Sequence, residues 1–222
     1  MDLPGHALAL AAQLTYGPRM EAFLISLGVV AVSEIGDKTQ LLALLLAARF
    51  KRPMPIIAGI FVATVFNHAV AGAVGGMVAA YLNPVVLRWG LGLLFIGMGA
   101  WALIPDKLED DKKVKDATTA AGVFWITTVS FFLAEMGDKT QLATAALAAR
   151  LDAVALVVAG TTAGMLLADV PAVYLGRMAT AKVQAGWFRY VAAALFVAMG
   201  LFTIWADSLD SLWGLSPQGA AP

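Results

Sequence analysis

Two hexapeptides, EIGDKT at 34–39 and EMGDKT at 135–140, each set two carboxylates, an ammonium and a hydroxyl within six residues. On a continuous helix Glu34 and Asp37 are three apart and share a face, Lys38 follows Glu34 by four, and Gln40 flanks the Asp37 side. Glu135, Asp138, Lys139 and Gln141 repeat the pattern. Four carboxylates with the oxygens of Thr39, Thr140, Gln40 and Gln141 would make an oxygen-rich cage. Such ligands suit hard divalent cations, Ca²⁺ or Mn²⁺, rather than soft ones. Four acids against two lysines leave −2, which one divalent cation neutralises. Carboxylates this close cannot all stay ionised without the cation, so protons would replace it when it leaves. The alternative is structural: Glu34 with Lys38, and Glu135 with Lys139, as ion pairs that only hold helices together, leaving Asp37 and Asp138 protonated.

The elements that must position these groups are apolar. The 222-residue chain is 60% hydrophobic and 14% charged, with a mean hydropathy of +0.80, where a soluble domain has about 25% charged residues. Without cysteine there is no disulfide framework and no thiolate metal site. Lys+Arg equals Asp+Glu at 15 each, so no basic excess points to nucleic acid. The composition predicts an all-α membrane protein. Stretches long enough to span a bilayer, about 20 residues, run over 22–47, 55–80, 86–104, 120–148, 153–176 and 187–206. RFKRP at 49–53, NP at 83–84 and the polar run 105–119 punctuate them. Residues 1–20 lack a positive start and read as an extramembrane lead-in rather than a signal peptide. Glu34 lies 12 residues into its span, about 18 Å deep and near the middle of a core about 30 Å thick, where charge is expensive. Gly36 behind it would allow close packing or a local break.

Sliding the chain by 101 residues aligns EIGDKTQLLALLLAAR with EMGDKTQLATAALAAR, 11 of 16 positions identical. The offset holds onward without a gap: Gly59 meets Gly160, Gly75 meets Gly176, Arg88 meets Arg189 and Asp106 meets Asp207. A three-helix unit is therefore duplicated. After an odd number of crossings the second copy enters from the opposite side, so six transmembrane helices form two inverted three-helix repeats. The expected divisions are a lead-in 1–20, a first repeat 21–105, a cytoplasmic linker 106–118, a second repeat 119–207 and a tail 208–222. Connections 1–2, 3–4 and 5–6 carry ten Lys and Arg against three on the other side (Arg19, Arg88, Arg150). That excess places the loops inside and both termini outside. Inversion brings the two motifs together, since the midplane is the one depth that the axis maps onto itself.

A second polar pair lies on spans two and five. Asn67 and His68 sit about 20 Å into their span, and the offset maps His68 onto Asp169, with Pro171 two residues on. The titration range of histidine suits proton handling, so this pair is a candidate for proton coupling or cation access. The glycine runs GAVGG at 72–76 and GLG at 90–92 lack the strand–turn–helix setting of a nucleotide loop and read as helix packing.

The paired E-x-G-D-K-T motifs, at Glu34, Gly36, Asp37, Lys38 and Thr39 and at Glu135, Gly137, Asp138, Lys139 and Thr140, resemble the signature of the calcium/manganese–proton exchanger family within the lysine-exporter superfamily. The resemblance spans residues 20 to 207. It implies export of Mn²⁺ or Ca²⁺ against protons, with no resident cofactor, and the short central loop resembles prokaryotic, inner-membrane members. A passive cation channel with a carboxylate filter is the second reading. An intramembrane aspartyl protease is disfavoured, because G-x-G-D is absent and no second, unrelated Asp motif occurs. Oligomeric state is not written in the sequence.

Overall fold

A computed structural model describes residues 20–104, 117–178 and 188–212. Helices account for nearly all of them, with no strand among the described residues. In chain order they are α1 (20–34), α2 (Lys38–Phe50), α3 (Pro53–Tyr81), α4 (Pro84–Ala102), α5 (Ala120–Glu135), α6 (Lys139–Leu151), α7 (Val154–Met178) and α8 (Phe188–Leu212). Four of the expected spans match single helices: α3, α4, α7 and α8. The other two do not run through. The stretches expected over 22–47 and 120–148 each break at the motif, into α1 and α2 and into α5 and α6; the second pair bends by 71°. The physical reason is a glycine that leaves helical space, described below. The lead-in up to residue 19 and all of the linker but 117 and 118 lie outside the described residues. Helix α8 runs on to Leu212, past the expected boundary at 207.

Local signals start and stop these helices where steric rules place them. Pro53 and Pro84 occupy the first turn of α3 and α4, where a missing N–H costs nothing. Asn83 and Thr119 cap α4 and α5, accepting from the N–H groups of Val85 (2.9 Å) and Gly122 (3.1 Å). Helices α2 and α6 end alike, on left-handed Lys51 (φ 54°) and Asp152 (φ 45°), which are 101 residues apart.

Polarity is arranged inside out. Phe66, Trp89, Leu93, Leu133, Phe202 and Trp205 are exposed, while Glu34, Asp37, His68, Glu135, Asp138 and Asp169 are buried. Water would penalise such a surface; lipid does not. By length and composition α3, α4 and residues 154–176 of α7 can each cross a membrane, and α5–α6 makes a fourth span if counted as one bent element. The apolar part of α8, Arg189–Trp205, is shorter.

Glycines set the helix contacts, and they do so twice. A Cβ at Gly59 would press on the Phe124 carbonyl and Thr127 of α5; one at Gly160 would press on the Phe23 carbonyl and Ser26 of α1. Gly75 lies against the Ala145 carbonyl of α6, and Gly176 against the Leu44 carbonyl of α2. In α4 and α8, Gly92 meets Gly200 and Ile204 while Gly99 meets Ala193 and Val197, an antiparallel crossing. The contacts of Gly59 and Gly75 map onto those of Gly160 and Gly176, and Gly92–Gly200 onto Gly99–Ala193, by adding 101 to one partner and subtracting 101 from the other. The packing thus carries the duplication seen in the sequence. Of the glycines in the two runs, Gly72, Gly75, Gly76 and Gly92 make such contacts, but Gly90 faces open space.

Candidate cation site

Each motif is a hinge between two helices, not a stripe on one. Gly36 (φ 85°) and Gly137 (φ 77°) take left-handed backbone that only glycine adopts cheaply. The chain is stitched across the gap by Asp37 N–H to the Glu34 carbonyl and Asp138 N–H to the Glu135 carbonyl, both 3.0 Å. Gln40 and Gln141 reach back, their side-chain oxygens accepting from the Gly36 and Gly137 N–H groups at 2.8 Å. Those amide oxygens are therefore engaged with backbone, and the glutamines act as braces. Gln40 also donates to the Ala168 carbonyl of α7 at 3.0 Å.

The break changes who faces whom. Glu34 closes α1, whereas Asp37 stands at the N-cap of α2 without capping it. No ion pair joins Lys38 to Glu34 among the described residues. The lysines cross over: Lys38 Nζ meets Asp138 Oδ1 at 2.9 Å and Lys139 Nζ meets Asp37 Oδ1 at 2.7 Å. Each half supplies the counter-charge for the other half's aspartate. The two bridges are not equally sheltered, the Lys38 side chain being 27% exposed and that of Lys139 5%. Thr39 donates to Glu34 Oε2, and Thr140 to Glu135 Oε2 at 2.8 Å. The other glutamate oxygens, both Oε1, are buried with no hydrogen bond among the described residues.

One carboxylate oxygen each from Glu34, Asp37 and Asp138 lies within 4.8 Å of the others. Oxygen ligands of one Ca²⁺, about 2.3–2.6 Å from the ion, can lie within that spread. The three come from both motifs, so the grouping exists only where the halves meet. Glu135 lies outside this trio.

Of the second polar pair, Asn67 ties α3 to the end of α5 by donating to the Phe132 carbonyl at 3.2 Å. His68 and Asp169 are both fully buried, and neither has a hydrogen-bond partner among the described residues. Asp169 is within electrostatic reach of Glu34, Asp37 and Glu135. Sequence reasoning missed the Ala168 carbonyl as the second anchor of Gln40. Its position beside Asp169, on the helix with Pro171, was the available signal.

The profile of the family described as "Divalent cation/proton antiporter GDT1" matches residues 22–110 and 123–211. The chain belongs to this family. The two matched segments are themselves 101 residues apart, so one profile recognises each half. The chain is thus a membrane transporter exchanging a divalent cation for protons, and not an enzyme. Among curated proteins it is similar to a "Putative manganese exporter" of Vibrio cholerae, 49% identical over 185 residues that cover 83% of this chain and 90% of the relative. It is also similar to GDT1-like protein sll0615 of Synechocystis, 27% identical over 84% of this chain and 98% of the relative. GDT1-like protein 4 of Oryza sativa subsp. indica is 27% identical over 82% of this chain and 72% of that protein. No solved structure matches.

Proposed function

We propose that the chain exchanges Mn²⁺ or Ca²⁺ for protons at one site made by Glu34, Asp37, Glu135 and Asp138, at the midplane of an inner membrane. The observation that carries this reading is the crossed pair of lysine bridges, which joins the two motifs into one buried cluster. In this reading Lys38 and Lys139 neutralise the aspartates until the cation arrives. Thr39 and Thr140 hold the glutamates in place, and Gln40 and Gln141 brace the hinges. Cation and protons compete for the same oxygens, which couples the two fluxes. The broken helices suit this role, because irregular backbone at membrane depth is tolerated where it is enclosed in protein or lines a cavity.

The reading extends to topology. α1–α2, α3 and α4 form three crossings, α5–α6, α7 and α8 three inverted ones, with both termini outside. Movement of one half against the other then gives alternating access. His68 and Asp169 are candidates for the proton path. The similarity to the Vibrio cholerae protein favours manganese as the cargo.

The test is transport by purified protein in proteoliposomes under an imposed pH gradient, with Mn²⁺, Ca²⁺ and internal pH followed together. Proton-coupled flux is expected in the wild type and is expected to vanish in Glu34→Gln. Wild-type flux in that variant would sink the site assignment, and flux indifferent to the gradient would point to a channel.

A further inference from the structure

The duplication gives nearly every polar group of the site a like counterpart: Glu34 and Glu135, Asp37 and Asp138, the two lysines, the two threonines, the two glutamines. A site made of these pairs alone would look the same from both faces of the membrane. The symmetry fails on α3 and α7. There Asn67, His68 and Val70 stand opposite Ala168, Asp169 and Pro171.

Of this asymmetric set only Asp169 is an acid, and it lies within electrostatic reach of the acids of the cluster. It has no exposed surface, and neither carboxylate oxygen has a hydrogen-bond partner among the described residues. A buried acid so placed is a net cost to folding unless something else meets its charge. Its charged neighbours are Glu34, Asp37 and Glu135, acids drawn from both motifs. Another acid beside three acids does nothing for stability, but it deepens the attraction for a cation. Two features bear on its position. Gln40 joins the Gly36 hinge to the Ala168 carbonyl immediately before it. Pro171 lies inside α7 and has no N–H to continue the helical ladder, which loosens the turn that holds Asp169.

We propose that Asp169 is a fifth carboxylate of the cation site, supplied by one half only, and that it raises affinity for the divalent cation while making the site's two faces unequal. This rests on the exchange reading above.

The experiment is Mn²⁺ binding to the purified full chain by calorimetry, alongside thermal unfolding with and without Mn²⁺. Asp169→Asn is expected to weaken binding by about ten-fold or more, the effect of removing one unit charge beside the ligands. Its cation-free Tm should hold or rise, because no hydrogen bond is lost. Asp169→Ser serves as a second uncharged variant if the first does not fold. The exchange His68→Asp with Asp169→His should restore affinity to within about three-fold of wild type, since the duplication returns the acid from the other side. Wild-type affinity in Asp169→Asn, a fall in cation-free Tm matching the loss of binding, or failure of the exchange to restore it would each overturn the proposal. Glu34→Gln separates the two readings. If it binds like wild type, or the wild type does not bind, the exchange site itself falls; if it alone loses binding, only the role of Asp169 falls.

Discussion

Replacing Lys139 with Met keeps most of the side chain's length and removes its charge, leaving Asp37 without the ammonium 2.7 Å away. Both partners are almost fully enclosed, at 5% and 2% exposure. Removing one member of such a pair costs about 3–5 kcal/mol. For a chain of this size that is roughly 6–20 °C in Tm. Lys38→Met is the internal control. Its bridge to Asp138 is similar in length at 2.9 Å, but the lysine is 27% exposed, so water can reach the stranded Asp138 from that side and the cost is smaller, about 1–3 kcal/mol. Thermal unfolding in mild detergent, followed by tryptophan fluorescence, reads both variants. Adding Asp37→Asn to Lys139→Met should recover at least about half of the loss, because the stranded charge is gone. Saturating Mn²⁺ should also narrow the gap from wild type, since the cation replaces the missing ammonium. If Lys139→Met proves no less stable than Lys38→Met, or the second substitution recovers nothing, the crossed bridges do not carry this energy and the reasoning fails.

Further perturbations probe the hinges and the packing. Gly75→Ala and Gly176→Ala, whose new methyl would collide with the Ala145 and Leu44 carbonyls, should each lower stability by about 1–3 kcal/mol; Gly90→Ala, with open space around it, should be neutral or slightly stabilising in the same melts. Gly137→Ala should lose about 1–2 kcal/mol through its positive φ alone, and transport by that variant should fall with the geometry of its hinge. The chain has no native cysteine, so single Lys38→Cys and Lys139→Cys proteins report access cleanly. A membrane-impermeant maleimide should label the former at least about ten-fold faster, following the difference in exposure of the two lysines; equal rates would show that the asymmetry is not held in the bilayer.

Much of this architecture was legible because the duplication is written in register. One offset of 101 aligned the motifs, the glycines and the terminal arginines, and the contacts of Gly59, Gly75 and Gly92 obey it. Burial of Glu34 and Glu135 followed from their depth in apolar runs. The break at Gly36 was legible only as an option beside close packing, and nothing in the sequence decided between them. Gly36 and Gly137 sit within stretches whose hydrophobicity continues on both sides, and hydropathy carries no record of φ. Taking those stretches as continuous helices paired Glu34 with Lys38 by local spacing. Both lysines also reach aspartates 100 and 102 residues away, and only the meeting of the halves reveals those partners. The glutamines illustrate the same limit: their chemistry allowed a ligand, but the hinge N–H groups stood closer.

The crossed bridges also bear on which ions the proposed site would admit. Where ammonium groups already sit on Asp37 and Asp138, the protein resembles an ion-exchange resin loaded with its own tethered counter-ions. An arriving ion must then displace charge rather than fill a void. A sodium or potassium ion offers one charge, no more than the ammonium it would displace, and gives up hydration to do so. A divalent ion brings two charges to oxygens drawn from both halves. Discrimination between valences can thus arise from the competitor the chain carries with it, before the dimensions of the cage enter at all.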